Sequence, residues 1–150
     1  MPHSQDKIKV IIADDSREFI EGITLLISTM PNIEIIEILH DGEELVRSHQ
    51  LQEADIVLID IDMPKMGGLE AARILTFRTP SILLIALTMY LEKVYLEEMI
   101  KVGFKGFIHK PEISQNLFDV IDKVLKNKYV FPDYVKMSNN NKMKNEKHED

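Results

Sequence analysis

The chain alternates between short apolar runs and longer segments in which apolar residues recur at helical spacing. Residues 7–13 form an apolar run that stops at two carboxylates, which predicts a buried strand. Between Ser16, a suitable N-cap, and Pro31, apolar residues follow the period of a helix. The same pattern predicts further strands over 33–39, 56–59, 82–87 and 106–109, and helices over 41–50, 69–77, 90–102 and 113–126.

Five strands that alternate with five helices predict a parallel sheet covered on both faces, because parallel strands need crossover connections. The fold class is therefore α/β and doubly wound. Two arrangements remain: the flavodoxin-like strand order 2-1-3-4-5, and half of a dinucleotide-binding fold. The turn after the first strand reads Asp14-Asp15-Ser16-Arg17 instead of a glycine-rich phosphate loop. This favours the order 2-1-3-4-5.

Composition limits the classes of function. The 150 residues suit one domain, and 45% hydrophobic with 29% charged residues is typical of a globular protein. No apolar run approaches the ~20 residues that cross a bilayer, and no signal pattern begins the chain, so we expect a cytoplasmic protein that does not contact membranes. The chain has no cysteine, which excludes disulfides and thiolate chemistry.

The formal net charge of −7 disfavours contact with a phosphate backbone. We therefore expect no direct binding of nucleic acid by this domain. The same charge favours a divalent cation or a basic partner surface.

Polar residues collect where the predicted strands end. They are Asp14 and Asp15 after the first strand, Asp60 after the third, Thr88 after the fourth and Lys110 after the fifth. In a doubly wound sheet the carboxyl ends of the strands face one crevice, near the point where the strand order reverses. We therefore expect these five side chains to lie together.

The chemistry of this set points to Mg²⁺ and a phosphoryl group. Crowded carboxylates repel one another, and a hard cation with oxygen ligands is the usual compensation. Asp60, in the centre, is the expected nucleophile for an acyl phosphate. Lys110 and the hydroxyl of Thr88 can bind the incoming phosphoryl oxygens.

Taken together, Asp14-Asp15, Asp60-Ile61-Asp62-Met63-Pro64, Thr88 and Lys110-Pro111 resemble the receiver domain of two-component response regulators, over about residues 7 to 128. The resemblance implies a CheY-like fold, a phosphoacceptor at Asp60, and phosphoryl transfer from a sensor histidine kinase. Asp15, Asp60 and the backbone carbonyl of Asp62 would bind Mg²⁺ directly, and Asp14 through water. Lys110 would contact the phosphoryl group.

The resemblance also implies a conformational switch. Thr88 would move toward the phosphoryl group, and Phe107 stands where the family has its aromatic switch residue, although an aromatic there can also belong to the core. A homodimer on phosphorylation is a further possibility. The residue after Thr88 is Met89, where the wider family has a small residue, so access to the site would be narrower.

The local sequences around Asp14, Asp41 and Thr88 are most similar to those of the LuxR/NarL-type branch, whose receivers precede a helix-turn-helix domain. We assign residues 1–128 to the receiver and residues 129–150 to a linker-like segment and a mobile polar tail, with no output domain. The chain is then either a piece of a longer transcription regulator or a stand-alone receiver.

The sequence is also compatible with two other functions. Asp60-Ile61-Asp62 is an Asp-x-Asp at a strand end, as in haloacid-dehalogenase-like Mg²⁺-dependent phosphohydrolases, but Met63-Pro64 follows it here. A pseudo-receiver, which keeps the fold without phosphorylation, is the other. We expect a signalling domain and not an enzyme, with only self-catalysed phosphotransfer and autodephosphorylation.

Overall fold

Strands and helices alternate five times along residues 6–135, the part of the chain that the computed structural model describes. The strands are β1 (Ile8–Ala13), β2 (Ile33–Leu39), β3 (Ile56–Asp60), β4 (Leu84–Thr88) and β5 (Gly106–His109). The α-helices are α1 (Arg17–Ser28), α2 (Gly42–Val46), α3 (Gly68–Arg78), α4 (Lys93–Val102) and α5 (Ile113–Leu125).

The strands form one parallel sheet in the order β2-β1-β3-β4-β5, which confirms the predicted fold. β1 lies between β2 and β3, so the connections run to opposite sides of it. This reversal opens a crevice at the carboxyl ends of β1 and β3. The end of β3 pairs with β4, where Asp60 stands beside Leu87.

Successive residues of the inner strands point to opposite faces of the sheet, and each face has its own apolar core. On one face Ile11 and Val57 pack with α3 and α4; on the other, Ile12 and Leu58 pack with α1 and α5. β3 and β4 are buried along their whole length, as strands covered on both sides must be. None of the helices in residues 6–135 is long and apolar enough to cross a bilayer.

Two helices are shorter than the sequence pattern predicts. α2 ends at Val46 instead of residue 50, because Ser48 bonds to Glu37 of β2 and accepts the amide of Gln50 at 3.1 Å, so that the chain turns there. α4 begins at Lys93 instead of residue 90. The amide of Tyr90 donates to the hydroxyl of Thr88 at 2.9 Å, which closes a local turn in place of a helical one.

Residues 129–135, here termed the C-terminal segment, pack on the free edge of β5. Val130 forms a parallel bridge with Gly106, and its amide donates to the Lys105 carbonyl at 2.9 Å. Phe131 and Val135 are buried in the core on the α4 side of the sheet. The proposed domain boundary at residue 128 remains a prediction, and most of the predicted mobile tail, residues 136–150, lies outside the described residues.

Candidate functional site

Asp14 and Asp15 follow the last residue of β1 and enter the crevice from its floor and its rim. Asp14 is fully buried, and its Oδ1 accepts the amide of Ser16 at 2.8 Å, whereas Asp15 is exposed. The other oxygen of Asp14, Oδ2, is buried and takes no hydrogen bond of good geometry from residues 6–135, although Lys110 Nζ lies 2.8 Å away. This oxygen still has lone pairs free for a ligand.

Asp60 is the last residue of β3 and lies beside Asp14. Its side chain is buried, and its Oδ1 accepts the amide of Asp62 at 3.3 Å. Burial, followed by the negative charge of Asp14, raises the pKa of Asp60 to about 7; Lys110 and the Asp62 amide lower it but do not offset the rise. The ionised form of the Asp60 carboxyl is therefore disfavoured in this buried, acidic site.

Lys110 brings an ammonium between the two carboxylates. The residue follows β5 and begins a short 3₁₀ turn, which aims its side chain back across the crevice. Its Nζ lies 2.8 Å from Asp14 Oδ2 and 3.3 Å from Asp60 Oδ1, and the side chain is only 13% exposed. An ammonium held this close to Asp60 can pair with oxygens that arrive on that carboxylate.

Thr88 ends β4, one residue beyond the partner of Asp60 in the sheet. Its side chain is buried, and Oγ1 accepts the amide of Tyr90. Within residues 6–135 the hydroxyl proton has only a distant acceptor in the same turn, the Tyr90 carbonyl at 3.4 Å. The hydroxyl can therefore donate to another group without giving up a strong hydrogen bond.

Asp62 and Tyr90 meet at the mouth of the crevice. Both side chains are exposed, and the Asp62 carboxylate, within reach of the Tyr90 hydroxyl, raises the pKa of the tyrosine. The Tyr90 ring also packs at a tilt against Tyr95, with 5.1 Å between the centroids. These contacts connect the β3–α3 loop with the β4–α4 loop across the site.

Phe107 lies outside the crevice, on the face of the sheet that α4 covers. It pairs with Ala86 of β4, and its ring is partly buried. The ring stacks on Phe131 of the C-terminal segment, with 5.5 Å between the centroids and 24° between the planes. The predicted switch residue is thus in contact with residues that come after α5.

The donor set of the crevice fits a hard cation. Asp14, Asp15 and Asp60 each offer one carboxylate oxygen, and these three atoms lie within 4.8 Å of one another. The pKa of Asp60 is raised first by burial and then by the charge of Asp14, and a cation among these carboxylates would offset both effects. Oxygen ligands of this kind suit Mg²⁺ better than a softer metal.

The structure brings together the residues that the sequence singled out, except for Phe107. Sequence reasoning missed two neighbours of the site. Phe19 places its ring under Lys110, and Phe131 covers Phe107. The position of Phe19 in the first turn of the helix after Asp15 was a usable signal, whereas nothing in the sequence marked Phe131.

Comparisons with known proteins agree on one family. The model of the response regulator receiver domain matches residues 10–122. The transcriptional regulatory protein YdfI of Bacillus subtilis is 37% identical over 131 residues, which are 85% of this chain and 60% of that protein. The transcriptional regulatory protein DegU of Brevibacillus brevis is 30% identical over 121 residues, which are 81% of this chain and 51% of that protein.

Among solved structures, a LuxR-family two-component response regulator from Aurantimonas sp. SI85-9A1 superposes with a TM-score of 0.79 at 21% identity, over 88% of this chain and 94% of that one. This likeness supports the fold. The chain spans between about half and three fifths of the length of the two curated relatives. With the family model matched over most of the described residues, the chain belongs to the receiver domains of two-component response regulators.

Proposed function

We propose that this chain accepts one phosphoryl group on Asp60, from the phosphohistidine of a sensor kinase, and transmits the signal by a change of conformation. The observation that carries the proposal is the placement of Asp60. Its buried carboxylate lies 3.3 Å from the ammonium of Lys110 and beside two further carboxylates that can hold a cation. The phosphohydrolase alternative is not favoured by the family match or by the strand order.

Receiver domains bind Mg²⁺ at an acidic pocket, and the residues to hold it here are Asp14, Asp15, Asp60 and the backbone carbonyl of Asp62. When bound, Mg²⁺ supplies positive charge that offsets the repulsion between the carboxylates and an incoming phosphoryl group. Asp14 is fully buried and Asp15 is exposed, which suits a ligand set that closes the floor of the site and leaves its mouth open.

In the transfer step, an oxygen of Asp60 attacks the phosphorus atom. The new bond is the O–P bond of an acyl phosphate, and the P–N bond of the phosphohistidine breaks with its electron pair returning to the imidazole. Lys110 pairs with a phosphoryl oxygen, and the contact of its Nζ with Asp60 Oδ1 at 3.3 Å supports this role. The hydroxyl of Thr88 donates to a second phosphoryl oxygen.

The conformational response is proposed to start at Thr88. The Thr88 hydroxyl accepts a hydrogen bond from the Tyr90 amide in the present structure. When Thr88 moves toward the phosphoryl group, this bond is strained, and the loop that leads into α4 moves with it. Phe107 then repacks, which also disturbs its stack on Phe131. The surface of residues 90–101, β5 and α5 changes and becomes available to a partner or a second copy. Phosphorylation-dependent association should be lost in Thr88→Ala; association that persisted would contradict this coupling.

The wider role follows from the relatives, two of which are named as transcriptional regulatory proteins. We propose that the domain controls transcription when a DNA-binding domain follows it in the full-length protein, and does not itself bind nucleic acid. The proposed location is the cytoplasm, where a kinase would meet it. The proposed receiver comprises residues 1–128, with residues 129–150 as a linker-like segment and tail.

The test is the intact mass of the protein after incubation with Mg²⁺ and acetyl phosphate. We expect one phosphoryl group on the parent and none on Asp60→Asn. Asp62→Asn is the matched control, because it removes an exposed carboxylate only two residues away and should still be phosphorylated. An adduct on Asp60→Asn would contradict the assignment of the acceptor.

Two other outcomes would replace the proposal. An unmodified parent that also fails to bind Mg²⁺ and beryllofluoride would be a pseudo-receiver. Sustained hydrolysis of a simple phosphomonoester by the parent, lost in Asp60→Asn, would indicate a phosphohydrolase, since a receiver should show no such turnover.

A further inference from the structure

The ammonium of Lys110 has an aromatic neighbour in addition to its two carboxylates. Its Nζ lies over the Phe19 ring, 4.6 Å from the ring centroid. A cation at this distance over a ring face is attracted by the ring quadrupole, and the attraction increases when the cation is screened from water. The Lys110 side chain is 13% exposed, so this contact is largely shielded.

Phe19 is held in place by the same carboxylate that pairs with the lysine. Asp14 Oδ1 accepts the amide of Ser16 at 2.8 Å, and the hydroxyl of Ser16 accepts the amide of Phe19 at 3.2 Å. These two bonds set the start of α1, and Ile23 and Ile27 fasten the helix to the sheet. The position of the Phe19 ring is therefore linked to that of Asp14 through short local contacts.

The ring limits where the ammonium can go. A lysine has a flexible four-carbon stem and a point charge that takes no fixed direction, unlike the planar fork of arginine. Asp14, Asp60 and the Phe19 ring all lie close to Nζ, and together they confine it beside Asp60 Oδ1. An aliphatic residue at position 19 would fill the same space without attracting the charge.

We propose that Phe19 is a positioning residue that holds Lys110 for phosphoryl transfer to Asp60. The inference rests on the proposed function, because it assigns a role in that reaction. Phe19 touches neither the phosphoryl group nor Asp60 in this role, and acts only through the lysine.

The test compares Phe19→Leu with the parent in the rate of phosphorylation by acetyl phosphate at saturating Mg²⁺. Removing a cation–π contact of about 1 kcal/mol corresponds to a rate about five-fold lower. Phe19→Tyr keeps a ring and should restore the rate. Ile20→Leu, a swap of equal volume at the next residue of the same helix, is the control and should match the parent.

Lys110→Met, with and without Phe19→Leu, separates the effect of the ring on the lysine from its effect on packing. In a Lys110→Met background, where no ammonium remains, Phe19→Leu should cause no further loss of rate. A five-fold loss in that background too would show that the ring acts through packing and would overturn the inference. A rate for Phe19→Leu equal to that of the parent would overturn it as well.

The proposed function can fail separately. If the parent takes up no phosphoryl group, the contact can still be tested by unfolding in urea without Mg²⁺. The four proteins compared are the parent, Phe19→Leu, Lys110→Met and the double variant. We expect the two substitutions to be coupled by about five-fold in the unfolding equilibrium constant. Strictly additive effects would mean that Phe19 does not hold Lys110, whatever the domain does.

Discussion

The two halves of the crevice are held in different ways. On the β1 and β3 side, backbone amides fix the carboxylates of Asp14 and Asp60, and both side chains are buried. On the β4 and β5 side, the loop after Thr88 is exposed, with Met89 58% accessible, and is fastened by side chains. A buried carboxylate that accepts a neighbouring amide has little room to rotate, whereas an exposed loop can rearrange at a lower cost. The β1 and β3 side is therefore the fixed half of the crevice, and the β4 and β5 side is the movable half in the proposed switch.

Side-chain contacts of the second half extend to the C-terminal segment. The Tyr134 hydroxyl donates to the Leu91 carbonyl at 3.4 Å, and Phe131 stacks on Phe107 of β5. The loop at the site and the edge strand that leads to Lys110 thus share one support. This arrangement relates the movable half to residues that follow α5, and four predictions test the comparison.

The largest effect should come from Phe131→Ala, which removes the buried ring that supports the second half. Phe131 is 5% exposed, and truncation of a buried phenylalanine lowers the free energy of unfolding by about 3–5 kcal/mol. Because the segment lies at the edge of the sheet, we expect a loss at the lower end, about 3 kcal/mol. The measurement is urea unfolding of the apo protein, followed by circular dichroism.

Tyr129→Ala is the matched control for Phe131→Ala, since its side chain belongs to the same segment but is exposed, and its loss should cost less than about 1 kcal/mol. Equal losses for both variants would mean that Phe131 contributes no more than a surface ring. The fraction of Asp60 phosphorylated at saturating donor should not change in either variant, because the first half is untouched.

The second prediction concerns the cost of charge in the first half. The raised pKa of Asp60, about 7 against 3.8, means that the folded state holds this proton more tightly than the unfolded state. The stability that this provides is complete below about pH 4 and is lost as the pH rises through 7. Asp60→Asn avoids the loss. Without Mg²⁺, the free energy of unfolding of Asp60→Asn should exceed that of the parent by about 2 kcal/mol at pH 8 and match it near pH 4.

Thermal unfolding across this pH range measures the difference between Asp60→Asn and the parent. Asp62→Asn, whose carboxylate is exposed, should follow the parent at every pH. Saturating Mg²⁺ should remove most of the gap at pH 8, because the cation neutralises the crowded carboxylates. A gap that did not depend on pH would show that charge is not its cause.

A third change tests whether the rim carboxylate serves the cation. Asp15→Asn removes one of the three clustered carboxylate charges, and the affinity for Mg²⁺ should fall about ten-fold. Calorimetric titration with MgCl₂ gives the affinity directly. Glu18→Gln removes another exposed carboxylate charge, from α1, and this variant should bind Mg²⁺ like the parent. An equal loss of Mg²⁺ affinity in both variants would indicate that net charge alone is responsible.

Much of the charged cluster in the crevice could be predicted from the sequence. The positions of Asp14, Asp60 and Lys110 follow from local rules: an apolar run ends, the strand ends with it, and parallel strands end at one edge. Strand order then determines which ends are neighbours. No detailed packing is needed for this step, so the cluster of carboxylates and the lysine could be expected before the structure was known.

The movable half could not be predicted in the same way. Tyr129 to Phe131 is a short apolar run without helical or strand period, and its contact with Phe107 depends on how the chain leaves α5. The late start of α4 depends on the hydroxyl of Thr88 capturing an amide, which competes with the helical pattern of the next residues. Both outcomes are decided by tertiary contacts that periodicity does not contain.

The smallest effect should come from Tyr90→Phe, which keeps the ring and removes the hydroxyl that lies near the Asp62 carboxylate at the mouth of the crevice. Both groups are exposed, so we expect only a small effect on the opening of the loop. Amide hydrogen exchange of residues 89–92 should accelerate by up to about five-fold, while exchange of the Ser16 amide, which bonds to Asp14, stays the same. Tyr95→Phe keeps the ring that packs on Tyr90 and serves as the control. Faster exchange at both Ser16 and the loop would mean that the two halves open together, and the distinction between a fixed half and a movable half would have to be abandoned.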